Sequence, residues 1–247
     1  MKIVFAGPSL PRATPLPSAG WQLRPPAAMG DVLAAVLEGA AVIGLIDGTF
    51  EAHAAVWHKE ILFALAEGVQ VYGAASMGAL RAAECAAFGM VGVGRVFEAY
   101  QSGDLVDDAA VAVLHAPADL GSLPLTEPLV TVTATADALL AAALITPDEQ
   151  ATVVAAAQRL FFKDRTLRAV IAACQTIAPD RRVALAELFR RYRRDIKAED
   201  AMALLAAVAA TGDARRPPPA WSFVATQAWT ELFSRVEARL APSGRSA

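Results

Sequence analysis

Three short apolar runs separated by helical patterns constrain this chain more than any other feature. Residues 1–6 (MKIVFA) stop at Gly7, Pro8 and Ser9, and residues 41–46 (AVIGLI) stop at Asp47 and Gly48. Residues 69–73 (VQVYG) run directly into a segment of small residues. Between the first two, Asp31 stands where it would cap a helix over the apolar residues 32–37. Trp57, Ile61, Leu62 and Leu65 recur at helical spacing and predict a helix over about 55–67, with Gly68 placed to end it in a left-handed turn. Residues 77–88 predict another. Alternation of this kind predicts a parallel α/β sheet.

The pattern changes after about residue 120. Residues 124–135 alternate β-branched and small side chains and predict one extended segment. Helices are expected near 138–144, 148–161, 164–175, 180–193, 197–210 and 224–240, punctuated by Pro147, Pro179 and Pro217 to Pro219. Pro11, Pro15, Pro17, Pro25 and Pro26 exclude helix from the connection after the first strand. The tail over 242–247 is expected to fray. The expected architecture is a Rossmann-like amino-terminal α/β domain, residues 1–120, followed by a mainly helical half, residues 121–247.

The 247 residues are 55% apolar and 19% charged, which excludes disorder as the dominant state. Mean hydropathy is +0.40, yet Glu38, Asp119, Asp137 and Asp148 break the longest apolar stretches. None reaches the roughly 18 uninterrupted residues of a spanning helix. Basic and acidic side chains number 22 and 25, so no global attraction to nucleic acid is expected. Cys85 and Cys174 lie far apart, and His53, His58 and His115 form no metal-ligand spacing. Neither do the acidic residues at Asp104, Asp107 and Asp108 combined with His115. A reduced cytoplasmic protein without a metal or cofactor is the expectation.

Chemistry concentrates in residues 73–84, GAASMGALRAAE. Ser76 stands where a strand turns into a helix, at the positive end of the helix dipole. The N–H groups of Met77 and Gly78 are placed to face an oxyanion. Ala74 stands where a GxSxG nucleophile elbow has glycine. Ser76 also fits a plain helix cap, and Arg81 with Glu84, three residues on, fits a surface ion pair. Asp47 leaves the carboxyl end of a strand, where α/β folds gather ligands. His58 and Lys59 begin the following helix, and these residues alone leave open which would serve Ser76 as base. Cys85, inside a helix among alanines, reads as packing. Arg181, Arg182 and the run Arg190, Arg191, Arg193 and Arg194 read as a solvated face or a dock for an acidic partner.

The chain resembles the TfuA-like proteins. The resemblance runs through residues 7–10, Gly30 and Asp31, residues 46–48, residues 56–62 (VWHKEIL), residues 73–84, residues 88–94 and residues 107–115. It is strong over about 1–118 and weak beyond. The pattern departs at 129–134, which lacks an arginine usual in the family, and at Cys85, where an aliphatic residue is usual. The resemblance implies an accessory role in peptide backbone thioamidation, beside an ATP-dependent YcaO enzyme, with the precursor peptide as a further partner. A thiocarboxylated ThiS-like sulfur carrier would be hydrolysed by a Ser–Lys pair, which maps onto Ser76 and Lys59. Arg81 would balance the thiocarboxylate charge, and Asp47, His58 and Glu84 would position Lys59 or Arg81. A non-catalytic adaptor joining peptide, carrier and YcaO enzyme is the alternative.

Overall fold

The computed structural model describes residues 1–10, 14, 20–51, 53–117, 120 and 122–241. Pro11, Pro15, Pro17, Asp119 and the 242–247 tail lie outside these residues. Five parallel strands form one sheet in the order β2-β1-β3-β4-β5: β1 (Lys2–Phe5), β2 (Trp21–Arg24), β3 (Val42–Leu45), β4 (Gln70–Ala74) and β5 (Val91–Val93). The sheet is α/β and parallel, as the alternation predicted. The two edge strands were not legible. β2 lies within the proline-rich connection, and β5 has only three residues.

The strand order decides which face each helix covers. Helices α1 (Asp31–Leu37), α2 (His58–Ala66) and α3 (Met77–Cys85) follow β2, β3 and β4. All three crossovers run in the same direction across the sheet, so right-handed connections place them on one face. There they bury Ile3, Phe5, Ile43, Leu45 and Val71 against Val32, Ile61 and Ala82. The opposite face, carrying Val4, Val42, Ile46 and Tyr72, needs another cover. Ala201, Leu204, Leu205 and Val208 of α9 (Ile196–Ala210) supply it. The helix α10 (Gln227–Leu240) packs Trp229, Leu232 and Val236 outside α1.

The remaining helices are α4 (Arg95–Ser102), α5 (Leu129–Ala141), α6 (Pro147–Arg159), α7 (Leu167–Ala173) and α8 (Pro179–Arg191). Helices α5 to α8 share a core of Val132, Leu139, Val153, Val170 and Leu185. Helix α5 corrects the extended segment expected over 124–135. Leu129, Val132, Ala136 and Leu139 are buried at helical spacing, and that packing outweighs the weak strand preference of Val and Thr. Asp31 is the first residue of α1 and Gly30 its cap, so the acid expected at the cap sits one position inside.

Three buried carboxylates hold loop ends and helix starts in place. Glu60, fully buried, accepts from the N–H groups of Gly30, Leu33 and Trp57. Asp200 on α9 accepts from Arg95 and Val96 at the start of α4. Asp47 accepts from the Gly7 and Ser9 amides and from the Ser9 hydroxyl. Burial pushes the carboxyl pKa of Glu60 and of Asp200 upward, against the pull of their amide donors.

Candidate active site

The direction of strand order reverses between β1 and β3, and at such a switch point the carboxyl ends of the strands leave a crevice. In this chain the crevice is bridged by Asp47, which follows β3 and holds the loop after β1. A cavity of about 330 Å³ opens there. Pro8, Asp47, Gly48, Ser76 and Met77 form its base, and His53, Asp108 and His115 add polar groups. Phe50 and Phe162, edge to face at 5.5 Å, close one wall. The Glu51–Lys163 ion pair ties the two loops that carry those rings.

Ser76 occupies the helix-cap position of α3, but its side chain makes no capping bond. A γ-turn delivers it there: Ala75 has φ 66°, and the Ser76 N–H returns to the Ala74 carbonyl at 2.7 Å. A non-glycine residue at positive φ is strained, and such strain gathers at functional turns. Among the described residues, the Ser76 hydroxyl has no hydrogen-bond partner. The residue is nonetheless 8% exposed and lines the cavity.

Of the two amides expected to face an oxyanion, the structure leaves one available. The Gly78 N–H donates to the Ile46 carbonyl at 3.2 Å, whereas the Met77 N–H has no acceptor among the described residues. Gly48, also lining the cavity, adds a second amide without an acceptor among the described residues, and a Cβ there would lie 2.8 Å from Met77 Cγ. The sequence marked Gly48 as a turn residue and as part of the resemblance over 46–48, with no role for its amide. Its place beside α3 follows from strand pairing.

The other sequence-predicted residues assemble with one another, away from the cavity lining. Arg81 donates to the Val56 carbonyl at 3.0 Å and to Glu84 at 2.7 Å. Glu84 also meets His58 Nε2 at 2.8 Å. This trio ties the start of α2 to α3. The Lys59 Nζ donates to the Val224 carbonyl at 2.5 Å and stands 4.9 Å from the centre of the Phe223 ring, toward α10. Lys59 does not line the cavity. Cys85 is buried, and burial pushes its thiol up to about 11, where little thiolate exists at neutral pH.

His115, weighed in the sequence only as a metal-ligand candidate and within the resemblance over 107–115, lines the same cavity as Ser76. Its Nδ1 lies 2.8 Å from the Ala116 carbonyl. A carbonyl only accepts, so Nδ1 carries the proton in that bond, and in the neutral ring Nε2 is the acceptor. Lys197 is the second residue missed. It is buried on α9, donates to the Val111 carbonyl at 2.7 Å, and burial lowers its pKa while the charge of Asp47 opposes that. It braces the Val111 wall of the cavity from behind. No periodic pattern marks a lysine in an apolar helix as buried.

Among the described residues no helix is long and apolar enough to cross a membrane. The family described as TfuA-like protein matches residues 47–166. That stretch begins at Asp47 and carries Ser76, Met77 and His115. A search of curated proteins returned no match.

Proposed function

We propose that this chain, TfuA-like over residues 47–166, is an accessory hydrolase of peptide thioamidation that releases sulfide from a thiocarboxylated, ThiS-like sulfur carrier for a YcaO enzyme. The observation that carries the reading is the Ser76 hydroxyl, unbonded and facing a cavity at the start of α3, inside the matched segment. Serine gains nothing as a cap in this position. The exposed Leu114, Leu123 and Leu125, next in sequence to the cavity-lining His115 or close to Ser122, favour a substrate borne on a protein.

In the proposed reaction the Ser76 oxygen attacks the carbonyl carbon of the thiocarboxylate, and His115 Nε2 takes the hydroxyl proton. The Met77 N–H, with Gly48 beside it, stabilises the tetrahedral oxyanion. The carbon–sulfur bond then breaks, and the imidazolium returns the proton to sulfur, which leaves as bisulfide. Water, deprotonated by the same imidazole, attacks the serine ester, and the imidazolium returns that proton to the departing Ser76 oxygen as the carrier carboxylate is freed. Lys59, the base implied by the family resemblance, would have to give up the Val224 carbonyl and the Phe223 ring to take this role. Arg81 is held by Val56 and Glu84, so its part is to fix α2 on α3.

Incubation of the purified protein with a thiocarboxylated carrier, followed by sulfide release and intact carrier mass, tests the proposal. Release that is lost in Ser76→Ala supports it. No release, with the YcaO enzyme and its peptide present, overturns it in favour of the adaptor.

A further inference from the structure

The arginine-rich stretch expected as one basic face is divided by the fold. Arg193 pairs with Glu127 and Asp195, and Arg194 pairs with Glu199, so both are spent within the molecule. Arg190 also lines a groove of about 500 Å³ between α7 and α8. Arg168 and Arg182 complete its rim. Ile171, Ala172, Val183 and Ala186 form an apolar floor, and Val183 is 68% exposed.

Charge on this rim is unbalanced. Among the described residues Glu187 is the one carboxylate lining the groove, and it is engaged by Arg190. Arg182 donates only to the Ala172 carbonyl, and Arg168 has no partner among the described residues. Three guanidinium groups therefore face one carboxylate, on a chain whose net charge is −3. A partly exposed apolar floor flanked by Arg168 and Arg182, neither with a carboxylate partner among the described residues, calls for a ligand that is both acidic and apolar.

The groove shape selects among such ligands. The lining residues of α8, from Pro179 through Arg182, Val183 and Ala186 to Arg190, repeat at three- and four-residue spacing and form one continuous helix face. Arg182 and Arg190 are eight residues apart, about 12 Å along the axis. Carboxylates seven or eight residues apart on a facing helix have the same pitch. Ridges of a third helix would fill the furrow between α7 and α8.

We infer that the α7–α8 groove docks an acidic amphipathic helix of a partner protein, its apolar face on Val183 and Ile171 and its carboxylates on Arg168, Arg182 and Arg190. The Ser76 cavity takes no part in this contact, and the inference stands whether or not Ser76 is a nucleophile.

Fluorescence anisotropy with a labelled 15-residue peptide tests it, the peptide having leucines at helical spacing and glutamates flanking them. Saturable binding to the full-length protein is expected, weakening at least tenfold between 50 and 500 mM salt, roughly as two or more released charge contacts require. Arg168→Glu with Arg182→Glu should weaken it at least tenfold, and Val183→Asp should do the same, with circular dichroism spectra unchanged. A peptide of the same composition scrambled to destroy the apolar face should bind at least tenfold more weakly. Equal affinity of the scrambled peptide, indifference to the arginine reversals, or absence of binding at low salt would each overturn the inference. So would displacement of the peptide by an equal concentration of a single-stranded oligonucleotide, which would make the groove a nucleic-acid site.

Discussion

The Gly78 amide donates to the Ile46 carbonyl across 3.2 Å, so the first turn of α3 is bonded directly to the end of β3. A Cβ at Gly78 would lie 1.7 Å from the Leu45 carbonyl oxygen, and one at Gly73 would lie 2.1 Å from the Gly78 oxygen. The helix that presents Ser76 therefore rests on backbone with no side chain between. This fixes the Ser76 position to the sheet and leaves Met77 as the amide of the turn without an acceptor among the described residues.

Gly78→Ala should be among the most damaging substitutions in the chain. Backbone atoms cannot swing aside as a side-chain tip can, so a loss of about 3 kcal/mol or more is expected. Urea denaturation measures it. A midpoint close to that of the wild type would show that α3 can slide off β3.

Ser76→Ala separates a cap from a nucleophile. Losing a capping serine costs about 1 kcal/mol. Ser76 makes no capping bond, so the variant should stay within about 0.5 kcal/mol of the wild type while sulfide release falls to background. Reduced stability with turnover intact would make Ser76 a cap.

His115→Gln should slow sulfide release by about a hundredfold or more, the usual range for losing a general base. Lys59→Arg should retain turnover, because arginine keeps the carbonyl bond and the contact with Phe223 but cannot act as a base. Loss in Lys59→Arg with retention in His115→Gln would return the base to Lys59. Rates across pH 5 to 9 for each variant decide this.

Glu60→Gln should destabilise the protein by about 1–3 kcal/mol, the penalty for buried donors left without an acceptor. The carboxylate serves Gly30 and Leu33 through one oxygen and Trp57 through the other. An amide group turns one of those oxygens into a donor. Thermal unfolding reads the loss, which should appear without any change at the cavity.

Glu149 gives a pH signature in the helical half. Its hydrogen bonds from Arg181 lower its carboxyl pKa to about 2, from 4.5 for the free group. The stabilisation is thus complete above about pH 4.5 and lost as pH falls toward 2. The melting temperatures of wild type and Glu149→Gln should differ at pH 6 and converge at pH 2. A gap that does not narrow would mean that the pair contributes through packing rather than charge.

The sequence by itself determined the parallel α/β core, because β1, β3 and β4 are buried runs closed by turn residues and their helices carry apolar stripes. It also singled out Ser76, whose place between a strand and a helix is a local property. It did not reveal β2 or β5, because edge strands with exposed or very few residues leave little apolar signal. It mistook α5 for an extended segment, since Val and Thr alternate there while the partners that bury them lie on α6 and α8. The grouping of His58, Arg81 and Glu84 with one another, and of His115 with Ser76, was decided by the tertiary structure alone. Which side chains share a cavity depends on how strand order directs each crossover, and on α9 closing the sheet from far along the chain. Those are long-range facts that no local pattern records.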